Sequence, residues 1–327
     1  MLLLTFSIRD TPLWADDTPK SRAKERRARC VADVIDGSRA VCHYPLGLSV
    51  TSQFAGGSIR LRVTILASGS SGNCTLLETE RTRLLVDAGL GKRETLRRLA
   101  AVERLVDRLD GIVISHEHSD HIGGLAQVLG QWRTTVYLTE ATHTEVKRIL
   151  PESSQKRLNH VEHIRAGQRF IVGDIEVSPF SIPHDAVDPL AFTFRANGTK
   201  VAIATDLGYL PELVKYHLRE SDCLMLESNH DLEMLKVGSY PWHIKQRVMS
   251  RTGHLSNHAV SEFLADAEAF DARARYVVLA HLSENNNNPD VARISAEEAL
   301  GRRPGAAAFS GELIVASQGA PHRTLEL

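Results

Sequence analysis

From Leu61 onward the chain falls into short apolar runs separated by turn residues. Leu61-Arg62-Val63-Thr64-Ile65-Leu66 alternates as a strand does and runs into the loop Ser68-Gly69-Ser70-Ser71-Gly72-Asn73. Strands are predicted at Cys74–Glu78 and Arg83–Val86, then a helix carrying Leu96, Leu99 and Val102, then the apolar strand Ile112-Val113-Ile114. Leu125, Val128, Leu129 and Trp132 fall at i, i+3, i+4 and i+7, the spacing of one buried helix face. Further on, 170–172 and 175–177 flank Gly173-Asp174, and 190–195 and 200–204 flank Asn197-Gly198, the dipeptide that favours a type I′ hairpin. Helices are predicted after Pro211, over 256–267 with Ser256 or Asn257 as cap, and after Pro289, alternating with strands at 223–226, 276–280 and 312–316. Such mixing predicts an α/β architecture, two β-sheets covered by outer helices.

Before Leu61 the pattern is different. The stretch Asp16-Asp17-Thr18-Pro19-Lys20-Ser21-Arg22-Ala23-Lys24-Glu25-Arg26-Arg27 is charged with no apolar period, which predicts weak order. We therefore expect residues 1–60 to be a dispensable, poorly ordered extension and residues 61–327 to be the working domain. No methionine lies between Met1 and Met225, so a misplaced start is part of that expectation.

Composition narrows the function. Across 327 residues, 39 Lys+Arg against 40 Asp+Glu exclude a uniformly basic nucleic-acid coat, so any polyanion must be held at a focused site. Cys30, Cys42, Cys74 and Cys223 form no CxxC pair, which argues against a thiolate zinc site or a disulfide framework and for a reducing cytoplasm. Leu2-Leu3-Leu4-Thr5-Phe6 is too short for a signal h-region, and no apolar run approaches the ~18 residues of a membrane span. The expectation is a cytoplasmic protein with no membrane partner. Histidine, at 15 residues, is what stands out.

The densest chemistry is His116-Glu117-His118-Ser119-Asp120-His121, directly after the apolar strand. His116 and His118 at i and i+2 can face one cavity while Asp120 and His121 turn to a neighbouring position. Four imidazole or carboxylate donors within six residues exceed one structural site and imply two divalent ions, Zn²⁺, Mn²⁺ or Fe²⁺. Further ligands are expected where rigid strands end. His184, Asp206 and His281 each close an apolar strand, and together they supply the missing coordination.

With these residues in place, the chain resembles the metallo-β-lactamase superfamily, whose motifs fit from Asp87 to His281. The resemblance implies a four-layer αββα sandwich of two mixed sheets flanked by helices. It implies that His116, His118 and His184 hold one metal, that Asp120, His121 and His281 hold the second, and that Asp206 bridges. Asp87, in Val86-Asp87-Ala88-Gly89, would support the ligand loop from behind. Two such ions roughly 3.5–4 Å apart would turn a bridging water into a nucleophile. Asp120 could bind metal and orient that nucleophile, so Cys74 and Cys223 read as core residues.

Several local stretches resemble the YycJ/WalJ-type branch of the superfamily: the loop 67–73, Glu227-Ser228-Asn229-His230-Asp231, Tyr240-Pro241-Trp242, Gly253-His254-Leu255-Ser256-Asn257 and Leu282-Ser283-Glu284-Asn285-Asn286-Asn287. That resemblance implies a 5′-to-3′ exonuclease acting on double-stranded DNA. The alternative within the superfamily is hydrolysis of a cyclic phosphodiester or a thioester. His254 and His230, the latter with Asp231 to set its tautomer, are candidates for proton donation or phosphate contact, against a reading in which Asn229 and Asp231 cap a helix and His254 packs. Ser70, Ser71 and Asn73 sit in a loop whose backbone N–H groups could hold a phosphate or simply join two strands. Tyr240-Pro241-Trp242 with Lys245, Arg247 and Arg251 could stack a base and contact phosphates, or the basic residues could form a solvated helix face.

Overall fold

In the computed structural model, residues 31–36, 39–43, 49–53, 61–303, 305 and 308–327 are described, the first three spans as backbone alone. The chain divides into two units, residues 1–58 and 59–327. In the first, β1 (Val31–Asp36), β2 (Arg39–His43) and β3 (Ser49–Gln53) form an antiparallel sheet in that order. The sequence reading placed no element there. The charged stretch 16–27 lies outside the described residues.

The second unit is built from β4 (Arg62–Ala67), β5 (Cys74–Glu78), β6 (Arg83–Val86), α1 (Lys92–Ala101), β7 (Gly111–Val113), α2 (Ser119–Ile122), α3 (Leu125–Gln131), β8 (Val136–Leu138), α4 (Glu140–Ile149), α5 (Glu152–Gln155) and β9 (Val161–His163). It continues with β10 (Phe170–Val172), β11 (Ile175–Ser181), β12 (Leu190–Ala196), β13 (Thr199–Ala204), α6 (Glu212–Leu218), β14 (Cys223–Glu227), α7 (Leu232–Val237), α8 (Trp242–Val248), α9 (Asn257–Ala265), β15 (Tyr276–Ala280), α10 (Pro289–Gly301), β16 (Glu312–Val315) and β17 (Leu325–Glu326). Two seven-stranded sheets result, ordered β17-β4-β5-β6-β7-β8-β9 and β10-β11-β12-β13-β14-β15-β16. Each is antiparallel up to one strand, β6 or β13, and parallel beyond it.

The period-2 pattern explains the layering. Alternate residues of a strand face opposite sides. In β13, Val201 and Ile203 join the core between the sheets while Ala202 and Ala204 join the core under helices α6, α9 and α10; Cys223 and Met225 divide from Leu224 and Leu226 in the same way in β14. In the other sheet Leu84 and Val86 face inward, and Leu85 packs outward with Leu99, Leu125, Val128 and Leu129 under α1 and α3. The result is the expected four-layer αββα sandwich. Each fully buried Leu, Ile or Phe contributes about 1.5–3 kcal/mol.

Local signals hold as well. Asn197 and Gly198 both take positive φ, 46° and 80°, as a type I′ turn requires, and they join β12 to β13. Ser256 caps α9, its hydroxyl accepting from the Ala259 N–H. Among the described residues no helix is long and apolar enough to cross a membrane.

Candidate metal centre

The site residues stand where both sheets change from antiparallel to parallel, the place where crevices open at the carboxyl ends of strands. Asp87 follows β6 and His116 follows β7; Asp206 follows β13, Glu227 ends β14 and His281 follows β15. Asp87, Asp206 and His281 have φ of 57°, 64° and 55°. This left-handed conformation costs a non-glycine residue roughly 1–3 kcal/mol and turns each side chain back over the end of the sheet. At Gly89 a Cβ would lie 1.8 Å from the Asp120 carbonyl oxygen, so only glycine lets the Asp87 loop cross the histidine loop.

All seven predicted ligands come together, in two groups. His116, His118 and His184 form one; Asp120, His121, Asp206 and His281 form the other, and within each the donor atoms lie within 4.8 Å of one another. In the first, His184 Nε2 is 3.2 Å from His118 Nδ1, and buried His116 Nε2 makes no hydrogen bond. In the second, Asp120 Oδ2 lies 3.2 Å from His281 Nε2 and 3.3 Å from His121 Nε2. Asp206 joins the groups, with Oδ2 at 3.2 Å from His121 Nε2 and Oδ1 at 3.4 Å from His281 Nε2 and 4.0 Å from His184 Nε2.

The remote imidazole nitrogens are pinned. His121 Nδ1 donates to Asp87 Oδ2 at 2.8 Å, and His281 Nδ1 to Glu227 Oε1 at 2.9 Å. His184 Nδ1 donates to the Gly253 carbonyl at 3.3 Å, and His116 Nδ1 meets Ser115 Oγ at 3.0 Å. Carboxylates and carbonyls only accept, so His121, His281 and His184 carry a proton on Nδ1 and turn Nε2 inward. Asp87 is itself held by the Ser115 N–H and hydroxyl.

Electrostatics make the same point. Burial pushes His116 well below the usual imidazole pKa and also lowers His184. Burial would depress His121 and His281 too, but Asp206 and the neighbouring carboxylates outweigh it, lifting His121 well above its ordinary value and His281 to about 10. Asp206 and Asp120, despite burial, are held far below the usual carboxylate range by those histidines. Imidazoles raised and carboxylates lowered against one another mark a charge balance that a divalent cation would satisfy in place of protons. The donor set of imidazoles and carboxylates therefore fits divalent metal binding.

Glu227 was missed as a functional residue in the sequence reading, although it closes an apolar strand just as Asp206 and His281 do. Its Oε1 accepts from His281 Nδ1 and from His254 Nδ1 at 2.8 Å; its Oε2 accepts from the Leu207 and Leu255 N–H groups at 3.0 and 3.1 Å. These four donors saturate the carboxylate, so Glu227 positions the two imidazoles and has no lone pair left for an ion. His254 lies against His281, ring centroids 5.4 Å apart, with its side chain 20% exposed. Burial would lower its pKa, but Glu227 and Asp206 raise it.

The other candidates are placed differently. Asn73 donates from Nδ2 to Asp120 Oδ2 at 3.0 Å, which fixes that ligand. The N–H groups of residues 68, 69, 71, 72 and 73 are bonded within the protein, to Ser317, Asn73, Gln318, Gly69 and Asp120, while Ser70 and Ser71 are exposed at the tip of the loop. Lys245 is buried and donates to the Lys236 carbonyl at 2.7 Å. Arg247 pairs with Asp185, beside His184. His230 is 1% exposed with Nδ1 unpartnered, and burial pushes its pKa down to about 4. Asp231, expected to set the His230 tautomer, spends Oδ1 on the Glu233 and Met234 N–H groups as the cap of α7.

A profile of the Beta-lactamase superfamily domain matches residues 82–282. Exodeoxyribonuclease YycJ of Bacillus anthracis is 36% identical over 242 residues, covering 73% of this chain and 89% of that protein. Exodeoxyribonuclease WalJ of Streptococcus pneumoniae is 36% identical over 241 residues, covering 72% and 87%. Among solved structures, the metallo-β-lactamase fold protein YhfI from Bacillus subtilis is similar with a TM-score of 0.60 at 19% identity, covering 82% of this chain and 100% of that one, a likeness of fold.

Proposed function

Because the chain belongs to the metallo-β-lactamase superfamily and is of the YycJ/WalJ type, we propose that it is a binuclear phosphodiesterase that degrades double-stranded DNA as a 5′-to-3′ exonuclease. It is a metal-dependent hydrolase, and the YycJ and WalJ proteins that it resembles are named exodeoxyribonucleases. When bound, two divalent ions would supply an activated water and neutralise charge on the attacked phosphate. His116, His118 and His184 would hold one, Asp120, His121 and His281 the other, with Asp206 between them.

The protein's own residues do the remaining work. Asp120 Oδ2, fixed by Asn73 and His281, orients the attacking water. His254 holds a proton for the leaving group: Glu227 fixes Nδ1–H, which leaves Nε2 as the ring atom free to give a proton away. The Glu227–His254 pair is the observation that carries the reading. A thiolate departs unaided, since a thiol ionises near pH 8.5; the 3′-alkoxide of a DNA strand is far more basic and needs a proton. The buried, unpaired Cys74 and Cys223 suit a reducing cytoplasm.

The test is duplex DNA carrying different labels at the two ends, incubated with the protein in Mn²⁺ and in Zn²⁺. Loss of the 5′ label first, abolished by Asp120→Ala, is the expected result. Intact duplex under both ions, or wild type and Asp120→Ala behaving alike, would defeat the reading.

A further inference from the structure

The sequence pointed to Lys245, Arg247 and Arg251 as phosphate-contacting cations, and the structure commits the first two elsewhere, to the Lys236 carbonyl and to Asp185. Arg251 is different. Its guanidinium lies over the Tyr209 ring, 4.2 Å from the centroid, and it has no hydrogen bond or ion pair with another described residue. Arg251 is exposed, and Tyr209 is 36% exposed.

The pair belongs to the loops that carry the site. Tyr209 follows Asp206 by three residues, and Arg251 precedes His254 by three. Those loops touch through their backbones: a Cβ on Gly208 would stand 2.3 Å from the Arg251 carbonyl carbon. Gly208 N–H donates to the Pro183 carbonyl at 3.0 Å, and the Gly253 carbonyl accepts from His184. The Arg251–Tyr209 pair thus caps the junction of the three segments bearing His184, Asp206 and His254.

We propose that Arg251, laid flat on Tyr209, binds a backbone phosphate of the substrate strand next to the scissile bond; this rests on the nuclease reading above. A guanidinium stacked by one face keeps its N–H edge outward, and that edge matches two phosphate oxygens. The aromatic face restricts the side chain before substrate arrives, so less freedom is lost on binding. A lysine at 251 would keep the charge and lose the fork.

Steady-state kinetics of the full-length, metal-loaded protein test this, with duplex DNA and bis-p-nitrophenyl phosphate as paired substrates. Arg251→Ala raises KM for duplex DNA about tenfold more than for bis-p-nitrophenyl phosphate, and the slope of log KM against log salt falls by about one phosphate contact. Arg251→Lys recovers the salt slope but only part of the KM, and Tyr209→Leu raises the duplex KM by a smaller factor than Arg251→Ala. Equal losses on both substrates, or an unchanged salt slope, overturn the proposal. Wild-type protein that hydrolyses bis-p-nitrophenyl phosphate and leaves DNA intact overturns the nuclease reading and this inference with it, whereas wild-type cleavage of DNA with unaffected Arg251→Ala overturns this inference alone.

Discussion

The two donor groups meet at Asp206, which belongs to the second and comes within 4.0 Å of His184 in the first, and they are built on different principles. The first is three imidazoles, at least two of them held from behind by neutral oxygens, the Ser115 hydroxyl and the Gly253 carbonyl. The second contains two carboxylates and has two more, Asp87 and Glu227, behind its histidines. Burial lowers the pKa of His116 and His184 in the first, while carboxylates overcome burial to raise His121 and His281 in the second. One residue type is thus prepared in two ways: a neutral lone-pair cage that suits borderline ions such as Zn²⁺, and an anionic cage that attracts any divalent cation and must shed protons to take it.

Removing the residue where the groups meet should have the largest effect. Asp206→Asn weakens both groups at once and should lower DNA hydrolysis by on the order of 10⁴-fold, measured as kcat/KM. His116→Ala, which touches one group, should retain the ion of the other.

Next in size is the residue that sits outside both groups. Glu227→Gln cannot accept from all four of its present donors, so His254 loses its fixed tautomer. Hydrolysis of DNA should fall about 10²-fold or more, as for loss of a general acid. Bis-p-nitrophenyl phosphate, whose leaving group needs no proton, should suffer much less. Equal losses would show that Glu227 acts through His281 and the metal groups alone.

Asp87→Asn separates the groups more gently. It weakens the support of His121 and should reduce affinity for the second ion about 10–100-fold while sparing the first, readable in a competitive chelator titration.

The smallest signal is protonic. A histidine whose pKa is raised keeps its proton at neutral pH and must lose it on metal binding, so affinity of the carboxylate-bearing group rises with pH. His116 and His184, lowered by burial, are already neutral at pH 7. Calorimetry at pH 7 in buffers of different ionisation enthalpy should therefore find proton release with one ion and about none with the other; release with both or neither would break the contrast.

Much of this was legible because His116, His184, Asp206 and His281 follow apolar strands, with His118, Asp120 and His121 clustered directly after His116, and a strand's alternation is visible in a single sequence. The same signal marks Glu227 at the end of Cys-Leu-Met-Leu-Glu, yet its role needs donors from residues 207, 254, 255 and 281, which only the fold assembles. Lys245, Arg247 and Arg251 look alike as rim cations; the Lys236 carbonyl, Asp185 and the Tyr209 ring distinguish them. Strands β8 and β9, three residues each, lack enough alternation to read and are set by pairing with their neighbours. Which N–H groups of the loop 68–73 stay free is a property of conformation that the sequence does not carry; Asn73, Gln318 and Asp120 take up those of Gly69, Ser71 and Asn73.

The most direct test is the metal content of wild type and Asp206→Asn, purified with excess Mn²⁺ or Zn²⁺ and measured by inductively coupled plasma mass spectrometry after gel filtration. Two ions per wild-type chain and fewer than one in Asp206→Asn are predicted; a single ion in the wild type, or two retained without Asp206, would contradict a shared two-ion centre.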